Sequence, residues 1–409
     1  MIMSEIYLVF VVFLFVLAVF DLMVGVSNDA VNFLNSAIGA KVAKFRTIII
    51  VAAVGVFMGA TMSNGMMEVA RNGVFHPAMF SLKELMFIFL AVMISDVILL
   101  DIFNNLGLPT STTVSLVFEL LGGTTAFVLL KLANDTTGLT VGDLMNTEKA
   151  LGMIMAIFVS VAIAFFFGIV LQYISRLVFT FTYKKNLKWK IGIFGGVATT
   201  AIFYFMLFKG IKSMSFVTPE IYEYIQNHTL AILGICFLAS TAIMQFLYFL
   251  KVNVFKILVL MGTFALAMAF AGNDLVNFIG VPLAGYSAYT DFAASGASDP
   301  STFMMSSLEG PAKSPMIFLV AAGAVMVFSL ATSKKAHNVI KTSVDLSRQS
   351  EGDEMFGSSK IARVLVRFSN NTANFFQDVV PDNVKAWCEK RFNTIEIDRK
   401  SGSAGMPRP

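Results

Sequence analysis

Charged side chains are scarce in this sequence. Asp, Glu, Lys and Arg make up 14% of its 409 residues, where a soluble domain carries roughly 25%. That shortage excludes an ordinary cytosolic enzyme. It equally excludes a disordered chain, which cannot bury enough apolar surface to fold and is correspondingly polar. Cysteine is nearly absent: Cys236 lies in an apolar run and Cys388 in a polar tail, a spacing that suits neither a disulfide scaffold nor a zinc site. The three histidines, His76, His228 and His337, fall in connections and in the tail without metal-ligand spacing. A net charge of +4, spread along the chain, offers nucleic acid no basic patch.

What is abundant is hydrocarbon. Hydrophobic residues make up 56% of the chain, Phe alone occupies 41 positions and Met 24, and the mean hydropathy is +0.76. The class that remains is an all-α polytopic membrane protein with the lipid bilayer as its solvent. A helix needs about 20 apolar residues to cross roughly 30 Å of hydrocarbon. Such runs occur at about 6–25, 46–65, 85–104, 114–132, 150–182, 191–211, 229–250, 257–271 and 315–332. The first has no basic flank and no small-residue cleavage site, so it reads as a retained span. The run at 150–182 exceeds one span and is expected to tilt or project.

Lys and Arg set the orientation. Loops 41–46, 183–190 and 251–256 hold nine of them in 20 residues, against seven in 86 residues across the alternate segments. The first set is therefore expected to be cytoplasmic, the N-terminus outside, and the segment from Ser333 inside as solvated chain.

One repeat stands out. Ser27-Asn28-Asp29-Ala30-Val31-Asn32-Phe33 and Gly272-Asn273-Asp274-Leu275-Val276-Asn277-Phe278 agree at five of seven positions, 245 residues apart. The apolar run before the first copy starts outside, and the run before the second starts at a cytoplasmic loop. The same motif at opposite polarity marks an inverted-topology repeat, the architecture of secondary transporters with broken or re-entrant helices and a binding centre between the repeats. Each motif sets two amides at i and i+4 on one helix face, with an aspartate beside the first. An aspartate at membrane depth costs roughly 2.5–3.5 kcal/mol on insertion scales, so two matched copies need a purpose. Carboxylates with amide oxygens make a hard site suited to Na⁺ or H⁺. Capping and helix–helix hydrogen bonding are the blander use of the same residues.

Leu108-Pro109-Thr110-Ser111-Thr112-Thr113 precedes the run that begins at Val114. Proline and hydroxyls favour a helix N-terminus, where free N–H groups and the positive dipole end gather. A half-helix starting there within the membrane offers N–H and hydroxyl donors to an anion. An anion beside aspartates needs cations between them, so coupling to Na⁺ or protons follows from the charges. Asp21, Asp96, Asp101 and Glu119 are further acids in apolar runs, and Glu68 stands at the end of the second run.

These motifs resemble the inorganic phosphate transporter (PiT) family. They are Asn28-Asp29-Ala30-Val31-Asn32, Asn273-Asp274-Leu275-Val276-Asn277 with Gly280-Val281-Pro282-Leu283-Ala284 following, and Pro109-Thr110-Ser111-Thr112-Thr113, in the family's order between about 10 and 350. The resemblance implies a cation-coupled inorganic phosphate symporter working by alternating access, without cofactor and without enzymatic chemistry. Asp29 and Asp274 are then the cation ligands (Na⁺ ligands if coupling is to sodium), helped by Asn28 and Asn273. Asn32, Asn277, Ser111, Thr112 and Thr113 would contact phosphate, and Thr110, Glu68 and Asp101 would line the pathway. The resemblance also implies a multi-pass protein of the bacterial inner membrane, with a homodimer as a further expectation.

Three departures accompany it, the first being that the first copy reads Ser27-Asn28-Asp29-Ala30-Val31-Asn32 where small residues are commoner. Val114 stands where many members have His, and no second Pro-x-Ser-Thr-Thr follows the second Asn-Asp motif. Residues 331–368 resemble the cytoplasmic insertion of longer bacterial members, so the second repeat is expected to be incomplete and the chain truncated. The expected division is a first repeat at 1–132, connecting helices at 133–250, the start of the second repeat at 251–332 and a cytoplasmic segment at 333–409. A sulfate permease of the same fold is the close competitor, with an ion channel and a membrane enzyme acting on phosphorylated lipid further off.

Overall fold

A computed structural model describes residues 2–62, 70–71, 73–134, 138–180, 187–210, 218–310, 314–346 and 380–392, with short pieces at 359–360, 363–364, 366–368 and 370–371. Glu68, named above as a pathway residue, lies outside the described residues. The helices are α1 (Ile2–Gly39), α2 (Phe45–Met62), α3 (Leu82–Leu106), α4 (Thr112–Ala133), α5 (Thr147–Phe179), α6 (Lys190–Gly210), α7 (Pro219–Asn227), α8 (Thr229–Phe249), α9 (Val254–Ser295), α10 (Met316–Thr332), α11 (Lys334–Leu346) and α12 (Asp382–Phe392). The described part of each of the nine apolar runs falls on or overlaps a helix. Among the described residues seven helices are long and apolar enough to cross a membrane, and α10 with α11 forms a further pair bent by 68°. The chain is an all-α polytopic membrane protein.

Helices α1 and α9 are the longest, at 38 and 42 residues, or about 57 and 63 Å at 1.5 Å per residue. They run through the two Asn-Asp motifs without a break, and α9 continues past Pro282. Breaks occur instead between α3 and α4 and between α10 and α11. Gly107 ends α3 at φ +67°, a left-handed conformation that glycine adopts without steric cost, and its N–H bonds back to Asn104 and Phe103. Pro109 and the N-cap Ser111 then restart the chain as α4.

The motif helices cross in opposite directions. Leu14 meets Gly285, Gly25 meets Phe278, and Phe33 meets Phe270 at 6.2 Å between ring centroids, so residue numbers rise along α1 as they fall along α9. The 245-residue offset of the motifs maps the second of these contacts onto the third, as a local twofold requires. The flanking helices follow the same rule. A Cβ on Gly59 of α2 would stand 2.0 Å from the carbonyl oxygen of Met268, while Ser329 of α10 donates to the carbonyl of Met23 at 2.9 Å. Met23 and Met268 are again 245 apart. In lipid no hydrophobic force drives helices together, so small residues that admit close backbone contact carry the packing.

The segment 334–346 is not solvated chain as expected. It forms α11, whose Ala336, Val339 and Ile340 are buried against the bundle, and Ser333 at its start accepts from Ser27 of α1 at 2.7 Å. The amphipathic spacing of those apolar residues on one helical face explains why it packs. At the other end the connections knit a cap. His76 N–H bonds Leu144 O, Leu82 N–H bonds Phe303 O, and Lys131 pairs with Glu84 at 3.0 Å. Helix α5 stands apart: it extends for about 50 Å and leaves Phe165, Phe166 and Phe167 exposed, as a lipid-facing surface would.

Gly59→Leu is expected to destroy the folded state, because backbone on α9 cannot move away as a flexible side chain would. Gly122→Ala, where a Cβ meets nothing within 4 Å, is expected to leave it intact. Monodispersity in detergent and the unfolding temperature measure both; equal loss in the two variants would contradict the packing described.

Candidate functional site

Asn28 organises the break between α3 and α4. It is fully buried, and its Nδ2 donates to Asn104 Oδ1 at 2.9 Å and to Leu108 O at 3.0 Å, while its Oδ1 accepts from Thr110 N–H at 2.8 Å. Asn104, itself buried, donates to Val24 O at 2.7 Å. Two polar groups of the irregular backbone at 107–111, Leu108 O and Thr110 N–H, are thus met by the Asn28 side chain, which Asn104 of α3 holds in place, as membrane depth requires.

Held this way, the first turn of α4 points at both motifs. Thr112 Oγ1 donates to Asp29 Oδ2 at 3.2 Å, and Thr113 Oγ1 donates to Asp274 Oδ1 at 3.4 Å. Asn277 Nδ2 donates to Thr113 Oγ1 at 2.9 Å and lies within 3.3 Å of Thr112 Oγ1 and 3.4 Å of Asp274 Oδ1. Asp29, Thr112 and Asn277 are buried, Asp274 is half-buried and Thr113 is exposed, so the cluster is open on the Thr113 side. Two carboxylates from oppositely directed helices therefore flank one helix N-terminus. The unpaired N–H groups and positive dipole end of that terminus stabilise negative charge.

Of the residues expected from sequence, Asn28, Asp29, Thr110, Thr112, Thr113, Asp274 and Asn277 come together here. Ser111 serves as N-cap, its Oγ accepting from Val114 N–H at 3.3 Å. Asn273 is half-buried and Asn32 exposed, and neither side chain bonds to the cluster. Asp101 lies apart: it pairs with Lys335 of α11 and accepts from Asn105 at 2.9 Å. Asn104 and Ser115 were not singled out from sequence. An amide pair at the end of an apolar run, three residues before Leu108-Pro109, is the signal that marks Asn104. Further along α1, a cavity of about 390 Å³ is lined by Leu34, Phe45, Ser333, Lys334, His337 and Asn338 among others.

No curated protein matches this chain. Among solved structures the chain is similar to a sodium-dependent phosphate transporter, with a TM-score of 0.58 and 18% identity over 82% of each chain, a likeness of fold. The model of the phosphate transporter family matches residues 25–343, and with its paired motifs and hydroxyl-rich helix start on one centre, the chain belongs to that family of transporters.

Proposed function

We propose that this chain is a Na⁺-coupled inorganic phosphate symporter working by alternating access. The observation that carries the reading is the convergence of Asp29 and Asp274, from antiparallel helices, on the hydroxyls of Thr112 and Thr113. Sodium is favoured as the coupling ion because the structural neighbour is sodium-dependent. Na⁺ takes oxygen ligands, and Asp29 and Asp274 would supply them, with Asn28 and Asn273 at hand.

The hydrogen bonds suggest an order of binding. A hydroxyl has one hydrogen, and Thr112 and Thr113 donate theirs to the carboxylates. A cation placed between those carboxylates takes over their negative charge and frees both hydroxyls to turn towards an oxyanion. Phosphate then meets the two hydroxyls, the Asn277 amide and the N–H groups at the start of α4, with Ser111 and Asn32 as outer members of the set. Cation first and phosphate second is the sequence this predicts. Only when the cations aboard outnumber the charges of the phosphate does the two-carboxylate centre come closer to neutral, and a near-neutral centre is what can be exposed alternately to the two sides. The Lys-rich connections 41–46 and 251–256 support placing them, and the cavity beside Lys334 and His337, on the cytoplasmic side of the bacterial inner membrane.

Asp29→Asn and Asp274→Asn are each expected to abolish Na⁺-dependent uptake of labelled phosphate into proteoliposomes while leaving membrane insertion intact. Normal uptake in both variants would remove the coupling role. Thr113→Val should raise the phosphate concentration for half-maximal uptake about tenfold, the worth of one hydrogen bond to a charged group. Excess unlabelled sulfate should leave phosphate uptake unchanged; full competition would move the reading to a sulfate permease. Asn104→Ala leaves one N–H of the buried Asn28 amide without an acceptor in the core, and is expected to cost about 1–3 kcal/mol of stability. A lowered unfolding temperature together with reduced uptake checks it, and an unchanged temperature would contradict the clamp.

A further inference from the structure

About two turns along α1 from Asp29, or about 12 Å at 1.5 Å per residue, lies a second group of acids that the transport reading does not use, Asp21 and Asp96 buried and Glu119 half-buried. Asp96 of α3 is fully buried, and Ser115 of α4 lies 2.5 Å from its Oδ1 and 3.0 Å from Glu119 Oε1. Asp21 of α1, also fully buried, faces this pair: the charges that act on it are those of Asp96, Glu119 and Asp29. Both carboxyl oxygens of Asp21, together with Asp96 Oδ2 and Glu119 Oε2, are shielded from solvent and have no hydrogen-bond partner. Among the described residues no Lys, Arg or His bonds or pairs with any of the three acids; the cations that are paired lie elsewhere, as Lys131 with Glu84 and Lys335 with Asp101.

Two arguments make this more than an acidic cluster. Asp21 arrives from a third helix, wholly desolvated and met by no donor group, with the Asp96 carboxyl in hydrogen-bonding reach, at a position where an apolar residue would pack at no cost, so its presence needs a ligand. The second argument is hydrogen counting. Ser115 has a single hydroxyl hydrogen and sits within bonding distance of two carboxyls. It can donate to one of them only, and the other contact is a hydrogen bond only when that carboxyl carries a hydrogen and donates it to the serine oxygen. Three bare carboxylates sharing one dry site would also repel without compensation.

We infer that Asp21, Asp96 and Glu119, the last two joined through Ser115, form a proton-binding site separate from the paired-motif centre, and that releasing its proton strengthens cation binding at Asp29 and Asp274. Its cation-coupled setting rests on the transport reading above; the proton itself does not. The sign is electrostatic. Deprotonation adds one negative charge about 12 Å from Asp29, which at an effective dielectric constant of ~20 corresponds to about tenfold tighter binding of a monovalent cation.

The experiment uses the full chain in proteoliposomes. Infrared difference spectra of wild type against Glu119→Gln and against Asp96→Asn should show, at neutral pH, the carbonyl stretch of a protonated carboxylic acid that disappears in alkaline buffer. Absence of that band in both differences, with both variants folded by gel filtration, overturns the site. Binding of radiolabelled Na⁺ without phosphate should tighten about tenfold as pH is raised through the range where the band is lost. In both variants it should be independent of pH over that range. Variants that keep the wild-type pH dependence overturn the linkage between the two sites. Uptake of labelled phosphate by the wild type is measured alongside: its failure, with the infrared band present, sinks the transport reading and leaves the proton site standing.

Discussion

The side-chain amide of Asn28 is the interaction on which the rest of the centre hangs. Membrane depth forbids an unpaired backbone group, yet a helix N-terminus that is to hold an anion must begin inside the membrane, where the chain before it cannot be helical. Asn28 resolves the conflict with one group that donates to a carbonyl on the turn, accepts from an N–H on the turn and bonds an amide on α3. Hydroxyls could not do this, since they have one hydrogen to give; a carboxylate could only accept. The residue beside it, Asp29, is then delivered to the first turn of α4 by the same helix.

Close backbone contact supplies the second condition. The carboxylates of α1 and α9 reach one helix start only because the helices around them approach at Gly25, Gly55, Gly59 and Gly285, where any side chain would collide with the neighbour. Packing of this kind is rigid in separation but permits rotation of one helix group against another, which is what alternating access demands of a two-repeat transporter. The local twofold carries a cost as well as a benefit. It doubles the number of aspartates in the core, and those charges are tolerable only while cations, hydroxyl donors or a helix dipole face them.

Two buried acidic centres on one helix give the molecule two kinds of charge compensation. Near Asp29, hydroxyls and a helix N-terminus stand ready, and the site is open on one side for exchange of ions. Asp21 and Asp96 are closed off from solvent, and the one hydroxyl of the group, on Ser115, reaches Asp96 and Glu119, so compensation there is by hydrogen rather than by a hydrated ion. The separation of about 12 Å along α1 is short enough for each centre to feel the other's charge in a weakly screened interior.

The sequence alone determined that the chain lives in a membrane, because nine long apolar runs leave no other solvent for them. It also determined that the core is double and inverted, because the Asn-Asp motif recurs on runs of opposite polarity, and that hydroxyls open α4, because Pro109 and Ser111 are helix-start residues wherever they occur. Composition and periodicity report on each helix by itself. They could not report that α1 and α9 pass unbroken through their motifs, that Asn104 supports Asn28, or that 334–346 folds back on α1 as a packed helix, since each depends on which neighbour satisfies a polar group or covers an apolar face. Nor could they separate Asp101, which finds Lys335, from Asp96 and Asp21, which find only each other and Glu119. An acid in an apolar run looks the same in every case; what it means is set by the partner that the tertiary structure brings within hydrogen-bonding distance.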